Sequence, residues 1–125
     1  FIYGPDGSNL ESIVSRLLAD PLSKSATINA PNTSAANCGK PPCLTAVDFM
    51  VRDDALLMTA MYRSQNVFTK QPGNVLALRD LQGVIADRVE VPVGKVNLFV
   101  ASAHIYEPDW KTAEEILAKN QRHAQ

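Results

Sequence analysis

Residues 43–65 carry the pattern that decides the fold, and they read CLTAVDFMVRDDALLMTAMYRSQ. Two largely apolar runs, 43–52 and 55–65, are separated only by Asp53 and Asp54. Apolar runs on either side of a two-residue polar turn are typical of a β-hairpin. We therefore expect two neighbouring strands that pair antiparallel.

Helices and further strands are predicted around this hairpin. Ser8, with Glu11 three residues later, forms a capping-box pattern that begins a helix, and Pro21 ends it. The mixture predicts an α+β fold in which a mostly antiparallel sheet has helices packed on one side. The other predicted elements are a strand at 25–30, a helix from Asn74 to about Val89, a strand at 94–106, and a helix from Pro108 with Trp110, Ala113, Ile116 and Leu117 on one face.

Composition limits the class of protein. With 125 residues, 46% of them apolar and 20% charged, residues 1–125 suit one soluble domain with a core, but not two. A net charge of −1 argues against a broad nucleic-acid-binding surface, which needs a basic excess. No apolar run approaches the roughly 18 residues of a membrane span. We expect neither a nucleic-acid nor a membrane partner.

The ends and the cysteines give two further expectations. The chain begins abruptly on three apolar residues, at 1–3, without the pattern of a signal peptide, which suggests a start inside a domain. Cys38 and Cys43 lie far along the chain from His104 and His123, so no metal site is expected. A local disulfide would need an oxidising compartment that nothing else indicates. We expect a reduced, cytoplasmic protein.

Arg63 and Ser64 end the second predicted strand and suit a phosphate. A guanidinium presents a fork of N–H donors that matches phosphate oxygens, and a hydroxyl adds one more bond. An exposed arginine at a strand end would give the same pattern, and residue type alone does not choose between the two.

Two further groups of polar residues allow both a structural and a functional interpretation. Asn74, where a helix is predicted to begin, is a good N-cap, but its amide also offers the donor and acceptor that match O4 and N3–H of uracil. Ser102, His104 and Tyr106 alternate along a predicted strand and so share one face. Either a hydrogen-bonded His–Tyr pair or a bound ribose or phosphate would account for them.

Taken in chain order, these features resemble the thymidylate synthase family. The order is PPC at 41–43, a strand pair, RSQNVF at 63–68, Asn74 at a helix start, and AHIY at 103–106. The resemblance covers nearly the whole chain, which would correspond to the C-terminal two-thirds of a family member. The stretch SAHIYEPDW at 102–110 is more similar to the archaeal-type and hydroxymethylase branches.

The resemblance implies a role for each candidate residue. Cys43 matches the family's nucleophile, whose thiolate adds to C6 of a pyrimidine so that C5 can attack a one-carbon unit. A nearby guanidinium would favour the thiolate, the attacking form. The other implied roles are phosphate binding by Arg63 and Ser64, base reading by Asn74, sugar binding by His104 and Tyr106, and proton transfer near Tyr3.

The resemblance also implies a reaction and an assembly. The substrate would be a pyrimidine nucleoside monophosphate and the carbon donor 5,10-methylenetetrahydrofolate. Members are homodimers that pack sheet against sheet, so apolar strand residues such as Val47, Phe49, Leu57 and Met61 are expected to contribute buried surface. We expect a single thymidylate-synthase-like domain whose N-terminal part is missing.

Departures from the family pattern leave alternatives open. Where an arginine pair usually serves the phosphate site of a partner subunit, this chain has Lys24 and Ser25, of which Lys24 keeps a charge. Asn66 stands where an aspartate that contacts the folate is usual. A CMP or dCMP 5-hydroxymethylase, a non-catalytic nucleotide-binding relative, and a simple core role for the Cys43 thiol therefore remain as alternatives.

Overall fold

The computed structural model describes residues 7–29 and 41–123, and its elements follow the predicted order closely. Tyr3 and Cys38 lie outside the described residues. The helices are α1 (Ser8–Ala19), α2 (Gln71–Arg88) and α3 (Trp110–His123), the last preceded by a short 3-10 turn at Glu107–Asp109. The strands are β1 (Ala26–Asn29), β2 (Leu44–Arg52), β3 (Ala55–Tyr62), β4 (Gln65–Asn66), β5 (Val93–Val100) and β6 (Ala103–His104).

The predicted hairpin forms the centre of the main sheet, whose strand order is β1-β2-β3-β5. Strands β1, β2 and β3 pair antiparallel, whereas β5 joins β3 in parallel. Asp53 and Asp54 make the turn with φ of 51° and 58°. A two-residue hairpin needs positive φ at its turn residues, and aspartate tolerates it better than most residues do. The mostly antiparallel α+β prediction is confirmed.

One face of this sheet is covered by helices, as predicted. Alternate residues of β3, namely Leu56, Met58 and Ala60, are completely buried. They pack in one core cluster with Leu17 of α1 and Leu81 of α2. Alternate residues of a strand point to the same face of the sheet, and the apolar stripes of α1 and α2 both pack against that face. The two helices therefore lie on the same side of the sheet.

The capping box predicted for α1 is wrong. Gly7, with φ of 73°, occupies the N-cap position, and its residue type offers no side chain to cap the helix. Glu11 instead accepts hydrogen bonds from both terminal nitrogens of Arg88, at 2.6 and 2.8 Å. The Glu11 carboxylate, which the sequence pattern predicted to cap the start of α1, therefore forms a bidentate ion pair with α2 instead.

The predicted strands at 55–65 and 94–106 both end early. β3 stops at Tyr62 and β5 at Val100, and a bend at 101–102 separates β5 from β6. After the bend, β6 leaves the main sheet and pairs in parallel with β4 in a separate two-stranded sheet.

Two helix predictions also need correction. α2 begins at Gln71, so Asn74 lies in its first turn rather than at its start; Pro72 fits that turn because its missing N–H is not needed there. On α3, Ala113 is buried, but Trp110, Ile116 and Leu117 are 45–61% exposed. The predicted apolar face of α3 is therefore largely uncovered by the described residues.

The second face of the main sheet is open in the described structure. Met61 of β3 and Phe99 of β5, which pair across the two strands, are 48% and 56% exposed. Val47 and Phe49 point the other way and are completely buried. They therefore belong to the helix-covered core, and the expectation that they contribute to a subunit interface is wrong.

None of the helices in the described ranges is long and apolar enough to span a lipid bilayer.

Candidate functional site

A cavity of about 540 Å³ opens where β2, β4, β6 and the start of α2 meet. Its wall brings together most of the residues that the sequence singled out, although they are up to 63 positions apart in the chain (43 to 106). Of the predicted site residues, Cys43, Ser64, Asn66, Asn74, His104 and Tyr106 line it.

Cys43 stands immediately before β2 as an exposed free thiol. The backbone N–H of Arg63 donates to the Cys43 carbonyl at 2.9 Å, so the strand pairing extends to the cysteine. The Arg63 side chain donates from Nε to Pro42 O at 3.2 Å and from Nη2 to Pro41 O at 2.6 Å. The same Nη2 lies 3.9 Å from Cys43 Sγ. One guanidinium therefore both fixes the segment that carries the thiol and places positive charge beside the sulfur.

Tyr62 lies on the core side of the same strand end, and the Cys43 thiol affects the pKa of its phenol. Burial raises the pKa of its phenol, and the negative charge of ionised Cys43 raises that pKa further. Cys43 and Tyr62 also line a second cavity of about 290 Å³, together with Asn74. The thiol thus lies between the open cavity and the apolar core.

The short sheet of β4 and β6 positions the polar wall. Gln65 pairs with Ala103 and Asn66 with His104. The Asn66 Oδ1 accepts the backbone N–H groups of Phe68 and Thr69, at 3.0 and 3.1 Å. These bonds shape the turn into α2.

His104 and Tyr106 contact each other, as their spacing predicts. Their ring centroids are 4.9 Å apart at 67°, an edge-to-face arrangement. His104 Nδ1 lies 3.5 Å from the Ser102 carbonyl, while Tyr106 is 61% exposed. Among the described residues, no hydrogen bond joins the two side chains or reaches the Ser102 hydroxyl, and both residues line the cavity.

Three predicted residues are not placed in the cavity wall. Lys24 is exposed on the segment between α1 and β1. Arg63 is held against the proline carbonyls rather than in the cavity. Tyr3 lies outside the described residues. The roles implied for these three stay predictions.

Four polar residues of the cavity wall were not predicted from the sequence: Gln65, Thr69, Lys70 and Asp109. Gln65 and Thr69 lie within or just beyond the RSQNVF motif, and a search of its polar neighbours would have found them. Lys70 and Asp109 precede α2 and α3 and meet only through the fold, so no local signal marks them. Among the described residues, no group of three His, Cys, Asp or Glu side chains could hold a metal ion.

An α+β domain with a thiol, amides and a His–Tyr pair around one cavity is a candidate for covalent chemistry on a small polar ligand. The family model described as thymidylate synthase matches residues 5–125. The chain therefore belongs to the thymidylate synthase family.

Named relatives agree with this assignment. A protein of Methanothermobacter thermautotrophicus named "Putative thymidylate synthase" is 34% identical over 118 residues, which cover 92% of this chain and 51% of the relative. Proteins with the same name from Methanothermobacter marburgensis (38% identity; 61% of this chain, 34% of the relative) and Methanococcoides burtonii (29%; 86% and 50%) are also similar. The chain spans about half the length of the curated relatives it matches.

Proposed function

We propose that this chain carries the nucleophile and most of the substrate-binding residues of an enzyme that transfers one carbon from 5,10-methylenetetrahydrofolate to C5 of a pyrimidine nucleoside monophosphate. The observation that carries the proposal is the exposed Cys43 thiol, 3.9 Å from the Arg63 guanidinium at a cavity of about 540 Å³. Membership of the family supports it.

The thiol would begin the reaction. The Cys43 thiolate forms a bond to C6 of the ring, and the electrons of the 5,6 double bond move to C5 and O4 as an enolate. C5, a poor nucleophile in the free base, then becomes reactive. The Arg63 guanidinium lies 3.9 Å from the attacking sulfur and fixes the segment that carries it through the Pro41 and Pro42 carbonyls.

The nucleotide would be bound by the polar wall. The Asn74 amide reads the base edge, and His104 and Tyr106 bind the sugar. Ser64 binds the phosphate, with Lys70 adding a cation at the same cavity. Arg63 would reach the phosphate only by releasing Pro41 and Pro42, and Lys24 would act only across a subunit boundary.

The folate would lie against the Asn66 end of the cavity. The buried Asn66 side chain turns only its Oδ1 to the backbone, which fits a neutral hydrogen-bond donor towards a folate ring. When bound, the folate supplies the electrophilic one-carbon unit. The chain's own residues orient the nucleotide and hold the nucleophile.

The open face of the main sheet would carry a second copy. Met61 and Phe99 form a paired, exposed apolar site on this face, and Leu57 lies on the same face of β3. Exposed apolar clusters of this kind mark interaction surfaces. A homodimer that packs these faces together suits the family. A free, nucleophilic thiol also suits the reduced, cytoplasmic compartment predicted from the cysteines.

Mass spectrometry of the full-length protein with methylenetetrahydrofolate and each of UMP, dUMP, CMP and dCMP tests the function. We expect a product from a uridylate, and we expect the Cys43→Ser variant to keep its fold but form none. A methyl product and a hydroxymethyl product differ by one oxygen, which distinguishes a synthase from a hydroxymethylase. No product from any nucleotide, or turnover by Cys43→Ser close to wild type, would overturn the proposal.

A further inference from the structure

The amide of Gln65 is a feature of the cavity wall that the proposed reaction leaves unused. Gln65 is 3% exposed and lines the cavity beside Ser64. Among the described side chains, its Nε2 and Oε1 are the buried polar atoms without a hydrogen-bond partner. An amide withdrawn from water without a partner destabilises the fold, and buried amides nearly always have one. Gln65 therefore needs a partner from outside the described chain.

The backbone keeps Gln65 where it is. Its N–H donates to the Ser102 carbonyl at 2.9 Å, and Val67 N–H donates to the His104 carbonyl at 3.0 Å. These bonds hold β4 against β6 on both sides of Gln65. The main chain of Gln65 is thus fixed at the cavity wall, where the residue is almost completely buried.

Two other buried amides show what a structural role looks like in this protein. The Asn66 Oδ1 accepts two backbone N–H groups. Gln82 of α2 is completely buried, and its Nε2 donates to the Leu56 carbonyl at 2.6 Å while its Oε1 accepts from Arg79 at 2.8 Å. Both amides have partners among the described residues, whereas the Gln65 amide has none there.

The chemistry of the amide selects its ligand. A carboxamide is neutral and presents donors and an acceptor side by side. A buried neutral amide is a poor partner for a phosphate, whose charge in a dry site calls for cations. The edge of a pyrimidine ring is itself neutral and carries neighbouring donor and acceptor atoms. Gln65 shares its cavity with Cys43 and Asn74, where the proposed function places that ring.

We propose that Gln65 is a second base-binding residue, whose amide hydrogen-bonds the polar edge of the pyrimidine that Cys43 attacks. This inference rests on the proposed function, because it needs a pyrimidine nucleotide in the cavity. Since no hydrogen bond among the described residues fixes which end of its amide faces the ring, Gln65 should strengthen binding of either base.

The inference predicts that the Gln65→Met variant is more stable without ligand than the wild type but binds the nucleotide more weakly. Removal of an unsatisfied buried amide should raise the thermal midpoint of the ligand-free full-length protein. It should also weaken binding of the preferred nucleotide, dUMP or dCMP, by roughly 10- to 100-fold. Binding of deoxyribose 5-phosphate, which has no base, should be unchanged. Gln65→Leu serves the same purpose if the methionine variant does not fold.

Gln82→Met is the matched control. Its amide is fully paired, so the variant should lower the thermal midpoint and leave the affinity ratio of nucleotide to sugar phosphate unchanged. Calorimetric titration of all three ligands into the wild type and both variants separates the outcomes.

Each contrary result is recognisable. If the wild type binds a nucleotide and Gln65→Met binds it equally well, the inference fails and the proposed function stands. If Gln65→Met loses nucleotide and sugar phosphate to the same extent, Gln65 is structural and the inference again fails. If the wild type binds neither nucleotide, the proposed function fails, and the inference about Gln65 fails together with it.

Discussion

The Arg63 guanidinium lies 3.9 Å from the Cys43 sulfur while it donates hydrogen bonds to the carbonyl groups of Pro41 and Pro42. The two proline rings already restrict this segment, and the arginine fixes its carbonyls. A thiol that only filled core space would not need such support, and Cys43 is exposed. The thiol is thus held in one position beside a cation, which suits the nucleophile role proposed for it.

The first prediction concerns the reactivity of this thiol. In the full-length protein, iodoacetamide should label Cys43 faster than Cys38, because the Cys43 sulfur is exposed and lies 3.9 Å from the Arg63 cation. Arg63→Met should slow labelling of Cys43 by roughly tenfold. Peptide mapping by mass spectrometry measures both rates, and Cys38 serves as the internal reference. Preferential labelling of Cys38 in the wild type would count against Cys43 as the nucleophile.

The second prediction concerns acid stability. The hydrogen bonds from Arg88 hold the pKa of Glu11 below its usual value of 4.5; burial opposes this shift and the charge of Arg88 supports it. Because the folded pKa is the lower one, the pair stabilises the fold above the unfolded pKa, and this contribution is lost as pH falls through the folded pKa. The thermal midpoint of the wild type should therefore fall more steeply below about pH 4.5 than that of Glu11→Gln.

Arg88→Met provides the control for this ion pair. It should flatten the acid limb as Glu11→Gln does, and the double variant should add little to either change, because both remove one interaction. Additive effects of the two substitutions, or an unchanged acid limb in both, would show that the pair does not set the pH dependence.

Local patterns predicted the parts of the fold that local forces decide. The hairpin around Asp53 and Asp54 was accessible because alternation and turn chemistry lie within a few residues of each other. The capping box failed because the partner of Glu11 is Arg88, 77 residues away. Likewise, the bend at 101–102 depends on a pairing of β6 with β4 that no single stretch contains.

The candidate site was predicted only in part, because local motifs identify some of its residues and long-range contacts bring in the others. Cys43, Asn74 and His104 stand in recognisable motifs, and the fold brings them to one cavity. Gln65 lies inside one of those motifs, but its importance is visible only in the structure. A glutamine on a strand gives no sign that it will be buried, or that its amide will lack a partner.

The third prediction concerns assembly. If two copies pack their open sheet faces together, the full-length wild type should sediment as a dimer at micromolar concentration. Phe99→Lys should shift it towards the monomer, because an unpaired ammonium group would be buried beside Met61. Leu76→Lys is the control, since Leu76 is 67% exposed on α2, on the helix side of the sheet, and should leave the dimer intact. A wild-type monomer, or equal dissociation of both variants, would contradict the proposed interface.

The fourth prediction concerns the choice of base. The Asn74 amide can donate from Nδ2 to O4 of uracil and accept from N3–H, whereas cytosine presents an amino donor and an unprotonated N3. If the Asn74 amide stays in the orientation that suits uracil, uridylates should bind more tightly than cytidylates by roughly 1–3 kcal/mol, the cost of one unpaired buried polar group. Asn74→Asp should shift the preference towards the cytosine nucleotide, because a carboxylate accepts from the amino group.

Asn120→Asp, on exposed α3, makes the same chemical change away from the cavity and should leave the preference unaltered. Calorimetric titration of dUMP and dCMP into the three full-length proteins measures it. Tighter binding of dCMP by the wild type would show that another part of the cavity chooses the base, and it would favour a cytidylate hydroxymethylase over a thymidylate synthase.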